Sequence, residues 1–213
     1  ACSTVASGTW SERSRSQRGA SCAKKACAAW ARCARTDTLA DGDVLLLIGG
    51  DGTHLGASIY LREITGSEAG APPPVDFAAE KRNGDFVRGL ISNGTVRTCH
   101  DLSDGGLIVA LAEMCMASGV GARMETAGGP VHAELFGEDQ ARYLIAVPRD
   151  GAASILATAS AAGVPARLIG EAGGATLEVS GILQVSVAAL KSRHEGWFPA
   201  YMAGELPSLQ AAE

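Results

Sequence analysis

Residues 44–56 read VLLLIGGDGTHLG, five apolar residues that run straight into a glycine-rich corner. Val44–Ile48 has the unbroken apolar character of a buried strand. Leu55, Ile59, Tyr60 and Ile64 then recur at helical spacing, which predicts a helix over Leu55–Ile64. Strand, glycine turn and helix in that order open an α/β unit.

The same corner raises a chemical question. Consecutive glycines let backbone N–H groups approach a phosphate, and the helix that follows adds positive potential. Gly49, Gly50, Asp51, Gly52 and Thr53 therefore fit the phosphate loop of a nucleotide kinase when taken alone. They fit an ordinary turn equally well, and the acidic pair and second glycine-rich loop such a kinase needs downstream are not found.

Working outward, GSEAGAPPPVD at 66–76 is a loop, because three consecutive prolines sustain neither a helix nor a central strand. Asp76 is a candidate N-cap for a helix carrying Phe77, Phe86, Val87, Leu90 and Ile91, which Asn93-Gly94 ends. A strand is predicted at Thr95–Cys99. Leu107–Ala117 reads as an almost wholly apolar helix buried on most sides. Further on, the pattern predicts strands at Arg142–Val147, Arg167–Gly170 and Ala175–Val179, a helix at Ala152–Ala162, and a loop-like HEGWFPAYM with Trp197 and Phe198 covering a core edge.

The chain has 213 residues, 46% of them hydrophobic, enough for one sizeable core. Its texture changes near residue 42. Residues 1–41 are rich in Ser, Arg and Cys, with seven Lys/Arg against three Asp/Glu and a short Ala-rich stretch near 20–35 that could be helical. Residues 42–213 carry eleven against twenty, and so acidic a body argues against a nucleic-acid partner. No run of about 18 apolar residues predicts a membrane span, and the N-terminus lacks a signal-peptide core, so a cytoplasmic location is expected. Cys2, Cys22, Cys27 and Cys33 form no Cys-x-x-Cys pair and read as reduced thiols; Cys99 and Cys115 read as small core residues.

HDLSDGG at 100–106 carries more chemistry than the first glycine corner. His100, Asp101, Ser103 and Asp104 lie where the first turn of the Leu107 helix presents free N–H groups, with Gly105 and Gly106 allowing close backbone approach. Such a corner can hold a phosphate, or Mg²⁺ beside one. The plainer alternative stays open at this point: Asp104 or Ser103 caps the helix, the glycines serve a tight turn, and His100 is structural.

IGGDGTHLGASIYLREI, GAPPPVD, LISNG, HDLSDGGLIVALAEM and LFGEDQARYLIAV, in this order, resemble the C-terminal part of the phosphoribosylformylglycinamidine synthases, the formylglycinamide ribonucleotide amidotransferases of purine biosynthesis. The resemblance spans roughly residues 42–200. Where that family usually has Ile-Gly-x-Thr-x-Gly-x-Leu-Gly, this chain keeps Ile48, Gly49, Leu55 and Gly56 but has Asp51 and Thr53 in place of Thr and Gly.

The resemblance implies an α/β (α+β) domain, a mixed sheet layered with helices, of the aminoimidazole-ribonucleotide-synthetase C-terminal type. It implies ATP and Mg²⁺ as cofactors, and activation of an amide oxygen as a phosphorylated imidate that ammonia from glutamine displaces. Family members are internal duplications, and this chain matches the end of the second half. By pseudo-symmetry with the first half, Asp101 matches a metal-binding aspartate, while Glu138 and Gln140 match a Glu-x-Gln substrate contact; a plain surface loop is the alternative for those two.

The second-half site is auxiliary or structural in that family. His100, Ser103, Asp104, Gly105 and Gly106 are therefore expected to line a nucleotide or phosphate pocket with little direct part in turnover. Histidine, lysine and Asn-x-Ser elements of catalysis belong to earlier family segments, so no catalytic residue is assigned and the isolated chain is expected to be inactive.

Expected partners are the remaining N-terminal part of the synthetase, a glutaminase subunit or domain and a small-molecule purine precursor, with neither nucleic acid nor membrane. Residues 1–41 do not read as the family's linker; a shifted reading frame, a fusion scar or an unrelated extension would each explain that. Residues 201–213 form a tail. Other ATP-dependent synthetases or kinases with an Asp-rich glycine corner, and a nucleotide-binding or scaffold domain without turnover, are the competing readings.

Overall fold

β1 (Val44–Ile48) is buried at every position, because it runs inside the sheet with helices on both of its faces. The computed structural model describes residues 38–204. The Ala-rich stretch near 20–35, Cys2, Cys22, Cys27, Cys33 and the tail beyond residue 204 lie outside the described residues.

Six further strands complete the sheet: β2 (Thr98–Asp101), β3 (Ala122–Met124), β4 (Tyr143–Val147), β5 (Ala166–Ala172), β6 (Thr176–Val179) and β7 (Leu183–Ser186). Their order is β2-β4-β1-β5-β3-β6-β7. Every neighbouring pair is antiparallel except β3 with β6, so the sheet is mixed, as expected. β1 pairs Ile48 with Tyr143 of β4 on one side, and on the other its register with β5 shifts between Leu45 and Leu46.

The helices are α1 (Ile59–Thr65), α2 (Phe77–Ser92), α3 (Gly106–Ser118), α4 (Val131–Phe136), α5 (Arg149–Ala161) and α6 (Val187–Met202). Strand alternation divides the core in two. Leu45, Leu47 and Leu144 pack with Leu107, Leu111 and Met114 of α3 and Leu135 of α4. Leu46, Ile48 and Ile145 point the other way, onto Val87 and Leu90 of α2 and Ile155 of α5. Cys115 is buried in the first cluster and Cys99 is half-buried against the second.

Several boundaries move for local reasons. The first helix starts at Ile59, not Leu55, because Ala57 takes φ +55° and Ser58 becomes the N-cap, its Oγ accepting from the Leu61 N–H. β2 starts at Thr98 because the end of α2 holds the preceding residues: Asn93 Oδ1 accepts from the Thr95 N–H, and Leu90 C=O from the Val96 N–H. Asp76 caps α2 as its sequence position predicts, accepting from the N–H groups of Ala78 and Ala79.

HEGWFPAYM is a correction. It belongs to α6, which runs through Gly196 and Pro199, and Trp197 and Phe198 are 51% and 62% exposed instead of covering a core edge. Proline and glycine disfavour a helix interior, but Ser186 caps the start of this one and Val187 anchors it to the core.

Candidate functional site

α3 starts where β2 ends, and its first residues sit against the loop that precedes β4. Gly105 is the N-cap with φ +78°, and no side chain caps the helix, so neither Ser103 nor Asp104 takes the role that their positions allowed. Gly106 has φ +67° and lies so close to the 135–137 backbone that a Cβ there would come within 2.6 Å of the Gly137 carbonyl oxygen. Gly106 is thus required by close packing of two backbones, and Gly105 by its positive φ and the Val109 side chain that a Cβ would meet.

Two amides of this corner are engaged within the chain. The Gly105 N–H donates to Glu138 Oε1 at 2.8 Å, and the Gly106 N–H to Ser103 C=O at 3.0 Å. That corrects the expectation of free N–H groups at both positions. The same Glu138 oxygen also accepts from the Ile59 N–H, the first of α1, at 2.9 Å. A carboxylate between two helix starts is favoured by the positive potential there.

Asp139 does the equivalent work for the first glycine corner. Its carboxylate accepts from Thr53 N–H (2.8 Å), Thr53 Oγ1 (2.8 Å) and His54 N–H (3.0 Å). The donors that a kinase loop would offer to phosphate hold an internal carboxylate, which removes the phosphate-loop reading of GGDGT. Burial would raise the Asp139 carboxyl, but these donors and nearby Arg142 outweigh it and hold the group below the usual carboxylate range.

Both residues that depart from the usual family loop are tied down: Thr53 to Asp139, and Asp51 to Arg167 at 2.8 Å. Arg167 also donates to Glu134, which accepts in addition from the Ala127 N–H. Arg142, 2% exposed, donates from Nε to Gly50 C=O and from Nη1 to Gly137 C=O, each at 2.9 Å. Burial lowers the Arg142 pKa, with Asp139 and Asp51 opposing. Ala141, at φ +60°, is held by α2, its N–H donating to Glu80 Oε1 and its C=O accepting from Asn83 Nδ2.

The residues singled out in HDLSDGG do not all face one way. His100 turns toward α3, its Nε2 2.9 Å from Glu113, and lines a groove of about 390 Å³ with Lys191 and His194 of α6. Asp101 follows it on the strand and lies on the opposite side, near Tyr143, whose phenol is raised by burial and then by the charges of Glu80 and Asp101. The expectation that His100 shares a pocket with Asp101 is thereby corrected. Ser103 and Asp104 are exposed, and Asp104 is close enough to α1 to act on Arg62. Gln140 is exposed and donates to Glu138 C=O at 3.3 Å.

Among the described residues no three His, Cys, Asp or Glu side chains converge as a metal set. Asp101 alone fits Mg²⁺ only as one carboxylate beside phosphate oxygens and water, a usual arrangement for that ion. Asp139, Arg142, Arg167 and Glu134 carry most of the loop geometry and are not marked by sequence spacing. The one signal that was available is the run of ionisable residues in GEDQAR directly before a strand.

The family whose profile matches is the C-terminal domain of AIR synthase related protein, over residues 40–181. The chain belongs to that family. The phosphoribosylformylglycinamidine synthase subunit PurL of Allorhizobium ampelinum is 52% identical over 186 residues, covering 86% of this chain and 25% of the relative. The corresponding subunit of Brucella ovis is 52% identical over 177 residues, covering 83% and 24%. The chain thus spans about a quarter of the length of these relatives. Since 86% of the chain is more than residues 42–213 contain, the similarity runs upstream of residue 42.

Among solved structures, Thermotoga maritima PurL complexed with FGAR aligns with a TM-score of 0.63 and 20% identity, over 73% of this chain and 29% of that one. Thermotoga maritima phosphoribosylformylglycinamidine synthase II aligns at 0.59 and 19%, over 73% and 27%. These likenesses show the shared fold.

No described helix is long and apolar enough to cross a membrane.

Proposed function

We propose that this chain is the C-terminal part of an ATP-dependent ligase that converts formylglycinamide ribonucleotide to formylglycinamidine ribonucleotide in purine biosynthesis. The observation that carries this reading is the 52% identity to PurL subunits over 83–86% of the chain. In the reaction, the amide oxygen takes the terminal phosphoryl group of ATP and leaves as phosphate when ammonia adds at carbon. The rest of the synthetase would supply the reacting groups, a glutaminase partner the ammonia, and the cytoplasm the setting.

Within this chain, the exposed Asp101 would hold Mg²⁺ together with nucleotide phosphate, and Ser103 with Asp104 would flank that phosphate. Gly105 could donate to it only if Glu138 released the N–H it now accepts. His100 would act from the α3–α6 side, away from the phosphate. Gln140 would be the member of the Glu-x-Gln pair open to a substrate, because Glu138 is bonded to two backbone amides.

Grafting residues 40–204 in place of the segment aligned with them in the Allorhizobium ampelinum subunit tests the reading. The chimera is expected to release ADP in a formylglycinamide-ribonucleotide- and ammonium-dependent manner, whereas a folded chimera without turnover would contradict it. A second reading, a scaffold domain without bound nucleotide, is favoured by the engaged amides of Gly105 and Gly106. Equilibrium dialysis of Mg·ADP against the chain and its Asp101→Asn variant separates the two, since only the first reading predicts Asp101-dependent binding.

A further inference from the structure

We infer that Glu138 and Asp139 are positioning residues, a two-carboxylate clasp that organises the β2–α3 corner in the absence of ligand. The inference rests on the reading of that corner as a nucleotide-facing site and assigns Glu138 a different part from a substrate ligand. Two segments distant in sequence, residues 53–59 and the N-cap of α3, meet at these two neighbouring side chains. Glu138 Oε1 joins the first amide of α1 to the N-cap amide of α3, at 2.9 and 2.8 Å. Asp139 takes three donors from Thr53 and His54, at 2.8, 2.8 and 3.0 Å.

The clasp has reason to exist because α1 has little apolar packing to fix it among the described residues. None of its residues is buried, so apolar packing contributes little to its position. Its side-chain contacts elsewhere are few: Tyr60 stacks on Phe136 at 4.7 Å and its hydroxyl meets His132 Nδ1 at 3.1 Å. His54 extends the clasp outward, its C=O accepting from the Glu138 N–H and its ring Nε2 donating to Ala71 C=O at 2.6 Å, on the proline-rich loop. The charge of Asp104 acts on Arg62 of α1, so the placement of α1 bears on the acidic end of the corner.

The carboxylates themselves are held from behind. Gly137 is bonded to Arg142 Nη1, whose Nε holds Gly50 of the first glycine corner, and Ala141 is bonded to Glu80 and Asn83 of α2, so both ends of the acidic pair are tied down. A group supported in this way keeps its geometry before any ligand arrives. Glu138 accepts the two amides through one oxygen, which an amide oxygen reproduces without the charge. Glu138→Gln therefore keeps the clasp, and Glu138→Ala removes it.

The test measures amide hydrogen exchange at Ile59 and Gly105, together with Mg·ADP binding by equilibrium dialysis, in the full chain and both variants. Exchange at both amides is expected to rise by about tenfold or more in Glu138→Ala while amides of β1 and β4 stay protected, with Glu138→Gln returning to wild type. Mg·ADP affinity is expected to fall by about tenfold in Glu138→Ala and to recover in Glu138→Gln.

Unchanged exchange at Ile59 and Gly105 in Glu138→Ala, or equal loss of Mg·ADP binding in both variants, would overturn the inference; the second outcome would return Glu138 to a direct charged contact. If the wild-type chain binds no Mg·ADP while the exchange pattern holds, the nucleotide reading of the corner fails and the clasp stands.

Discussion

Replacing Arg142 with Met removes a side chain that ties the carbonyls of Gly50 and Gly137 together while keeping most of its volume. Arg142 is 2% exposed, so water does not readily take its place. Two carbonyls left without a strong donor cost about 1–2 kcal/mol each by the usual penalty for unsatisfied buried groups. Relief of the buried guanidinium, whose pKa burial lowers, gives back roughly 1 kcal/mol. The net loss is about 1–3 kcal/mol, a large part of the roughly 5–15 kcal/mol that holds such a domain together. With a urea slope of about 2–3 kcal/mol per M, the unfolding midpoint falls by roughly 0.5–1 M. Arg142→Lys keeps the charge but cannot span both carbonyls, so most of the loss remains. A midpoint for Arg142→Met within about 0.2 M of wild type would refute the reasoning, because the two loops would then be held by packing alone.

Gly52→Ala would place a Cβ 2.2 Å from the Ala133 carbonyl oxygen, backbone against backbone, and is expected to lower stability by about 1–3 kcal/mol or more in urea unfolding. The Asp139 carboxyl is held below its ordinary value, so its contribution is complete above the unfolded pKa and is lost as pH falls through the folded one. Asp139→Asn should flatten the acid limb of a stability–pH curve below about pH 5. The Cys115 thiol is pushed up to about 12 by burial, so it should resist a thiol reagent at pH 8 until the chain unfolds. Trp197→Ser and Phe198→Ser remove exposed side chains and should each change stability by less than about 0.5 kcal/mol, against the larger loss that a core-edge role would give.

How legible the fold was in the sequence depended on what set each element. β1, α2 and α3 were readable because composition dictates them: five apolar residues in a row, an Asp cap with helical spacing behind it, and an almost wholly apolar helix. β3 has three residues and β7 four, too short for an alternating pattern, and their pairing is supplied by β5 and β6. α4 has six residues, and its place comes from Leu135 in the core and Glu134 held by Arg167. The part of α6 at residues 194–202 reads as a loop because Gly196 and Pro199 speak locally against a helix that its cap and its first residue nonetheless sustain.

The site divides in the same way. The two glycine corners were visible as corners, but their occupants were not, since Glu138 and Asp139 reach them from about 30 to 90 residues away in sequence. Strand alternation does place His100 and Asp101 on opposite faces once the strand is drawn through Asp101. Ending the predicted strand at Cys99 concealed that.

The most direct test of the central claim follows one atom. With formylglycinamide ribonucleotide carrying ¹⁸O in its amide, a chimera holding residues 40–204 of this chain in the Allorhizobium ampelinum subunit should transfer the label to inorganic phosphate as ADP forms. Phosphate released without ¹⁸O, or ADP release indifferent to the amide substrate, would contradict it.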